Sequence, residues 1–273
     1  MDNWQSLSHM SKLLDIMQQL RDPDKGCPWD KQQTFSSIVP YTIEEVYEVA
    51  DAIAKGDMVE IKDELGDLLF QVVFYAQLGH EENAFEFDDI AGGVCEKLIR
   101  RHPHIFGDEV QQNAEAVSQR WDEIKRQEKL VKGIPENNSI LDDIPQGMAP
   151  LLRAEKIQKR CAKVGFDWDD VSSVFAKVRE EIVEIEQEIN HSRVTQEKVV
   201  EEVGDLLFAV VNLSRHLGVN AETALINANQ KFSRRFGAVE KQFEDANLVL
   251  SEANLEQMES VWQSVKSLEK KQQ

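Results

Sequence analysis

The chain has 273 residues, with 31 Lys plus Arg against 50 Asp plus Glu and a formal net charge of -19. That length accommodates two ordinary domains, each with its own core, while the acidic balance excludes a general nucleic-acid-binding surface. Cys27, Cys95 and Cys161 are too scattered for a CxxC pair or a disulfide framework, and no apolar run reaches membrane-spanning length, so a reducing, cytoplasmic setting away from the membrane is expected.

From the N-terminus, the first strong signal is an acidic helix expected over 39–54, carrying Glu44, Glu45 and Glu48. A second helix follows over 59–78, with Glu64 and Asp67 among apolar residues at helical spacing. Further on come Lys97, Arg100 and Arg101, the run Lys-Leu-Ile-Arg-Arg-His-Pro-His-Ile-Phe over 97–106, and Trp121. Gly133, Pro135, Asn137, Asn138, Pro145, Gly147 and Pro150 then interrupt the helical pattern. Beyond that break, acidic helices are expected over 172–191 and 195–217, then a helix bearing Lys231, Arg234 and Arg235, and a short amphipathic one bearing Trp262. No alternating hairpin pattern around Asn-Gly occurs. The expected fold is all-α: two tandem related helical-bundle domains, 1–131 and 151–273, joined by a linker at 132–150.

The two halves read as a diverged duplication. Glu44, Glu45 and Glu48 answer Glu180, Glu181 and Glu184, and the run Gly66 to Phe70 answers Gly204 to Phe208. Trp29 with Asp30 answers Trp168 with Asp169, Lys97 with Arg100 and Arg101 answers Lys231 with Arg234 and Arg235, and Trp121 with Lys125 answers Trp262 with Lys266. The order of matches is the same in both halves.

Residues three apart on a helix share a face, so Glu181 projects with Glu184, and Glu202 with Asp205. Antiparallel packing of the two helices brings the pairs face to face. Four converging carboxylates repel one another unless a divalent cation neutralises them, and all-oxygen ligation suits Mg²⁺ or Mn²⁺ better than zinc. The bland alternative is a solvated acidic face. Against it, Glu202 and Asp205 sit among Val199, Val203, Leu206 and Leu207, so the acidic stripe borders the apolar one.

The pattern Glu-Glu-x-x-Glu followed by Glu-x-x-Asp on the next helix, with Gly-Asp-Leu-Leu-Phe, resembles the signature of the MazG pyrophosphohydrolases. The 97–106 run is similar to the corresponding family segment, and the resemblance to two-domain bacterial members covers essentially the whole chain. It implies an enzyme that cleaves nucleoside triphosphates of varied base to monophosphate and pyrophosphate, serving nucleotide-pool control or removal of aberrant nucleotides. It further implies Mg²⁺, with Mn²⁺ as a substitute, held by Glu181, Glu184, Glu202 and Asp205, the same residues serving catalysis, with a metal-polarised water as nucleophile.

Charge neutralisation of a triphosphate also calls for cations. Lys231 and Arg234 share a helix face and, with Arg235, are assigned to phosphate, against the alternative of solubilising charge. Lys198 either pairs with Glu202 four residues on or reaches a phosphate oxygen, and the resemblance favours phosphate. Lys177 and Arg179 precede the acidic motif by a helical turn or less, in the stretch to which the family's nucleotide site extends, and Glu201 is a further substrate-binding candidate. Trp262 stacks on the base or closes the pocket, unless it is a packing anchor.

Glu45, Glu48, Glu64 and Asp67 form a second candidate site in the first half. There Glu60 stands opposite Lys198, an acid where the other half has a candidate phosphate contact, and the family's established cleaving unit is the C-terminal one, so the second half is the expected catalyst. The family also implies a homodimer, in keeping with apolar stripes that an isolated half would expose, and its association with a toxin and antitoxin gene pair extends the expectation to a regulatory protein partner. Two other classes compete. A di-metal carboxylate bundle needs two Glu-x-x-His pairs and finds only Glu188 with His191; a non-catalytic helical adaptor leaves the duplicated acid spacing unexplained. No P-loop or nucleophile-elbow motif occurs, and His102 and His104 are read as structural.

Overall fold

Helix starts in this chain are set largely by side-chain oxygens that accept from the unpaired N–H groups of the first turn. The structure, a computed structural model, describes residues 7–108, 113, 117, 120, 121, 123, 124, 127, 128, 139–190 and 194–272. Among the described residues there are helices, two short 3-10 segments and no strand, as expected of an all-α chain. They fall into two compact units, Met1–Glu136 and Asn137–Gln273.

In unit 1, Ser8 caps α1 (His9–Leu20) by accepting from the Ser11 N–H at 3.1 Å. Thr34 and Ser37 form a reciprocal capping box that opens α2 (Phe35–Lys55). The helix therefore starts four residues before the expected position 39 and runs through Pro40, which forfeits one intrahelical hydrogen bond near the first turns. Gly56, at φ +77°, ends α2, and Asp57 at once caps α3 (Met58–Glu81) by accepting from Val59 and Glu60. This two-residue reversal makes α2 and α3 an antiparallel pair packed along their length. α4 (Phe87–Arg101) and the single turn α5 (Pro103–Phe106) follow, and Trp121, Ile124 and Glu128 are helical.

The core of unit 1 is Met17, Ile38, Val73, Phe74 and Leu78, each at most 5% exposed, with Leu13, Leu14, Phe35 and Phe70 packed around it. Each such side chain contributes roughly 1.5–3 kcal/mol on full burial. Arg21 lies over the Phe74 ring, donates to the carbonyls of Asp30 and Gln33, and forms a two-pronged pair with Glu81.

Unit 2 repeats the plan. Pro150 opens α6 (Pro150–Ala162) at the first helical position, where its missing N–H costs nothing. Residues 139–149 before it are turns, and 132–138 of the expected linker lie outside the described residues. Asp170 caps α7 (Val171–Ile189), α8 spans Gln196–His216, and Asn220 caps α9 (Ala221–Asp245). α10 (Leu255–Gln272) is 18 residues long, not the short helix expected around Trp262. α7 packs along α8, α6 lies on α8, and α10 lies on α9 through Val239, Phe243 and Val265. No helix among the described residues is long and apolar enough to cross a membrane.

Candidate metal centre and its surroundings

α7 and α8 bring three of the four expected acids of unit 2 together. Carboxylate oxygens of Glu181, Glu202 and Asp205 lie within 4.8 Å of one another. Glu181 is 4% exposed, on the face of α7 turned toward α8. Its Oε1 receives Lys177 Nζ at 2.8 Å, and its buried Oε2 has no partner. An unpaired carboxylate oxygen in the interior is costly unless something cationic meets it. Glu184, one turn further along α7, stands outside this trio, and its carboxyl is pushed up by burial and then by the Glu181 carboxylate.

Unit 1 assembles the parallel set, Glu45, Glu48 and Glu64, again within 4.8 Å, with Asp67 outside the trio. Burial and then the neighbouring Asp67 raise the Glu45 carboxyl, while the Gln71 amide, donating to Glu45 Oε1 at 3.2 Å, opposes the shift. Glu64 is likewise pushed up, by burial and then by Glu48 and Asp67.

Crowded acids that repel one another could hold a cation that neutralises them. Oxygens on opposite sides of a Mg²⁺ at roughly 2.0–2.1 Å stand about 4 Å apart, so the spacing in each trio fits one ion. The donor set is oxygen only, and in unit 2 the orphaned Glu181 Oε2 supplies a ready ligand.

The expected cations are placed less uniformly. Lys177 bridges Glu180 and Glu181, which holds its ammonium strongly charged. Lys198 lies 3.7 Å from Glu188 on α7 rather than on Glu202, because its long side chain crosses to the neighbouring helix. Glu201 is exposed on α8, and Lys231 is exposed on α9. Arg234 and Arg235, also on α9, both grip Glu269 of α10, at 3.1 and 2.7 Å, and this pairing lowers the Glu269 carboxyl. Arg179 lies near the Phe175 ring. Trp262 packs against Phe232 with ring centroids 5.2 Å apart, at the edge of the Val239 cluster.

Unit 1 contains the same clamp: Arg100 and Arg101 grip Glu128 at 2.7 and 2.6 Å, and the carboxyl drops to about 2. His102 Nδ1 donates to Leu98 O, the ring meets Trp121 edge to face, and His104 lies beside it. His191 and Lys125 lie outside the described residues.

Beside the unit 2 trio is a cavity of about 330 Å³, walled by Trp168, Val174, Phe208 and Ala209, with Asn212 in its lining and Glu181 and Asp205 at the acidic side. In the sequence Trp168 and Phe208 stand out only as markers of the duplication, and Ala209 and Asn212 carry no motif. The available signal was the mismatch between halves, Gln71 against Ala209 and Phe74 against Asn212.

Two antiparallel helix pairs, each presenting three carboxylates to one point, define a class of all-helical proteins suited to metal-assisted chemistry on phosphates. The family model described as the MazG nucleotide pyrophosphohydrolase domain matches twice, over 33–106 and 170–239, and each match contains one acid set. A nucleoside triphosphate pyrophosphohydrolase of Escherichia coli (strain K12) is 53% identical over 96% of this chain and 99% of its own length. A second relative, the nucleoside triphosphate pyrophosphohydrolase/pyrophosphatase MazG of Thermotoga maritima, is 42% identical over 93% of this chain and 94% of its own. The chain belongs to the MazG family.

Proposed function

We propose that this chain hydrolyses nucleoside triphosphates to nucleoside monophosphate and pyrophosphate, with unit 2 as the cleaving unit. The observation that carries the reading is the trio Glu181, Glu202 and Asp205, converging within 4.8 Å around a buried, unpaired Glu181 oxygen. The family and its relatives' activity supply the reaction.

Glu181, Glu184, Glu202 and Asp205 would hold the cation, with Glu184 joining the trio one turn along α7. Mg²⁺ is the expected ion and Mn²⁺ its substitute, since both are hard cations that take oxygen ligands. When bound, the cation absorbs charge on the triphosphate and lowers the pKa of water. The protein's own contribution is to hold the ligands on two rigid helices and to offer a carboxylate that accepts a proton from the attacking water. Lys177 steadies Glu181 and is close enough to the trio to meet a phosphate oxygen. Lys198, Glu201, Lys231, Arg234, Arg235 and Trp262 complete the proposed substrate contacts, Arg234 and Arg235 by exchanging Glu269 for phosphate. Glu45, Glu48, Glu64 and Asp67 form a second cation site, where Glu60 pairs with Lys55 and supplies no phosphate contact.

The proposed domains are 1–131 and 151–273, joined at 132–150, and the proposed assembly is a cytoplasmic homodimer with a regulatory protein partner. Its role is nucleotide-pool control or removal of aberrant nucleotides, with broad tolerance of the base. The test is to incubate wild type, Glu202→Ala and Glu64→Ala with each ribo- and deoxyribonucleoside triphosphate and Mg²⁺, and to separate the products. Monophosphate and pyrophosphate, lost in Glu202→Ala and retained in Glu64→Ala, is the expected result. Loss only in Glu64→Ala moves catalysis to unit 1, and orthophosphate release or no turnover at all overturns the reaction.

A further inference from the structure

The face of α7 that carries the candidate ligands continues one turn past them. Glu188 lies four residues beyond Glu184 and seven beyond Glu181, and Lys198 lies four before Glu202 and seven before Asp205. These spacings keep each residue on the ligand side of its helix. Because α7 and α8 pack antiparallel, the two meet at one end of the acid stripe, with Lys198 Nζ 3.7 Å from Glu188 Oε2. The Glu188 side chain is 13% exposed and that of Lys198 60%. Glu188 Oε1 is buried and meets no partner among the described residues.

Both residues stand where their own helices disfavour them. Glu188 is in the last turn of α7, at the negative end of the helix dipole, and Lys198 is in the first turn of α8, at the positive end. The buried, unpaired oxygen of Glu188 adds a further cost. Their pairing returns little, since 3.7 Å is too long for a hydrogen bond and an exposed ammonium is screened by solvent. Unit 1 does without either group. The registers that align Glu45 with Glu181 and Glu64 with Glu202 set Ala52 against Glu188 and Glu60 against Lys198. Ala52 is buried, and Glu60 turns to Lys55 at 2.5 Å. Acid and ammonium are thus present together in one unit and absent together from the other. A pair that opposes local helix stability fits a role in the reaction better than one in the fold.

We propose that Glu188 is a positioning residue for hydrolysis, holding the Lys198 ammonium at the end of the acid stripe where a phosphate of the substrate is to meet it. The proposal rests on the phosphate role of Lys198 given above and deepens it. A lysine side chain is long and mobile, and ordering it only when substrate binds takes away affinity. A carboxylate set between two packed helices orders it beforehand. The contact is Coulombic, with no hydrogen bond made, so the N–H donors of the ammonium stay available to phosphate oxygens.

The test uses the full chain with ATP and Mg²⁺ and compares wild type, Glu188→Gln, Glu188→Ala, Lys198→Met and the double variant Glu188→Gln with Lys198→Met. Glu188→Gln keeps the shape of the side chain, and Glu188→Ala installs the residue that unit 1 carries. The expected result is a KM raised about three- to tenfold in both Glu188 variants, with kcat close to wild type and a melting temperature no lower. Lys198→Met is expected to raise KM at least as much, and the double variant to raise it no further than Lys198→Met alone. Wild-type KM in both Glu188 variants, while Lys198→Met raises it, overturns the proposal and leaves the phosphate role of Lys198 standing. An additive rise in the double variant overturns it too, as does a lowered KM in Glu188→Gln, which marks the acid as a competitor for the ammonium. Mn²⁺ titrated without nucleotide by electron paramagnetic resonance is expected to bind wild type and Glu188→Gln with similar affinity. Clearly weaker binding in the variant makes Glu188 a cation ligand and overturns its positioning role. Unchanged KM in Lys198→Met removes the phosphate role and the proposal with it, and a wild type without turnover removes the reaction itself.

Discussion

Glu181 adds little as a stabiliser and stands where a cation ligand is proposed. It is buried, has one oxygen on Lys177 and the other on nothing. A protein without a cation to place there gains little from keeping it. Glu181→Gln preserves shape and removes charge, so it is expected to lower turnover by at least the roughly 10–100-fold that loss of an outer-shell partner costs, with weakened Mn²⁺ binding and an unchanged fold by circular dichroism. Undiminished turnover would remove Glu181 from the site.

Arg21 is the structural counterpart in unit 1, with its side chain 7% exposed against Glu81 at 35%. Arg21→Ala removes charge-assisted bonds to Glu81 and to two carbonyls, and about 2–3 kcal/mol of stability is expected to go with them, read from urea melts. The Arg21 guanidinium holds the Glu81 carboxyl below its usual 4.5. A depressed carboxylate stabilises the fold above its unfolded pKa, and that contribution is lost as pH falls through the lower, folded value. Wild type should therefore lose stability below about pH 4.5 more steeply than Arg21→Ala, and parallel acid profiles would show the pair contributes nothing.

At the scale of elements, periodicity located the four helices that carry the candidate metal-binding acids, yet not where each begins. α2 starts at Phe35 because the Thr34 and Ser37 oxygens supply a cap strong enough to carry the helix through Pro40, a local interaction that apolar spacing does not register. α3 runs on to Glu81, where Arg21, 60 residues distant in sequence, pairs with its last turn. The pairing of Arg234 and Arg235 with Glu269, like that of Arg100 and Arg101 with Glu128, was hidden for the same reason. The duplicated arginines were legible, while the acids that engage them depend on how the last helix lies. With Arg234 and Arg235 assigned to phosphate, Glu269→Gln frees both and is expected to lower KM for nucleotide by up to about fivefold, the equivalent of a surface pair worth up to about 1 kcal/mol. An unchanged KM with a lower melting temperature assigns the arginines to the helix clamp alone.

At the scale of the whole molecule, the acidic helix pairs leave apolar side chains uncovered. Ile43 and Val46 on α2, and Ile182, Val183 and Leu207 on α7 and α8, are each 43% or more exposed. Such stripes are expected to be covered by a second copy, so sedimentation should give a dimer, and Leu207→Glu should shift it toward monomer. A wild-type monomer at micromolar concentration overturns that assembly. Metal should also report on the whole fold: an ion that binds only the folded chain adds about 2.7 kcal/mol at 100 times its Kd. Chelation is expected to abolish turnover and lower the melting temperature, with both restored by Mg²⁺.

Sequence by itself determined the helical class, the duplication, the acid spacing and the family, because each is written in local periodicity or in the repetition of short motifs. Tertiary structure alone decided which three acids meet in each unit, which oxygen is left unpaired, and that a cavity lies beside the acids of unit 2. The physical reason is that ligand geometry and empty volume arise between helices. A helix pair brings together residues some twenty positions apart, and which of their side chains meet is settled only once both helices are in place.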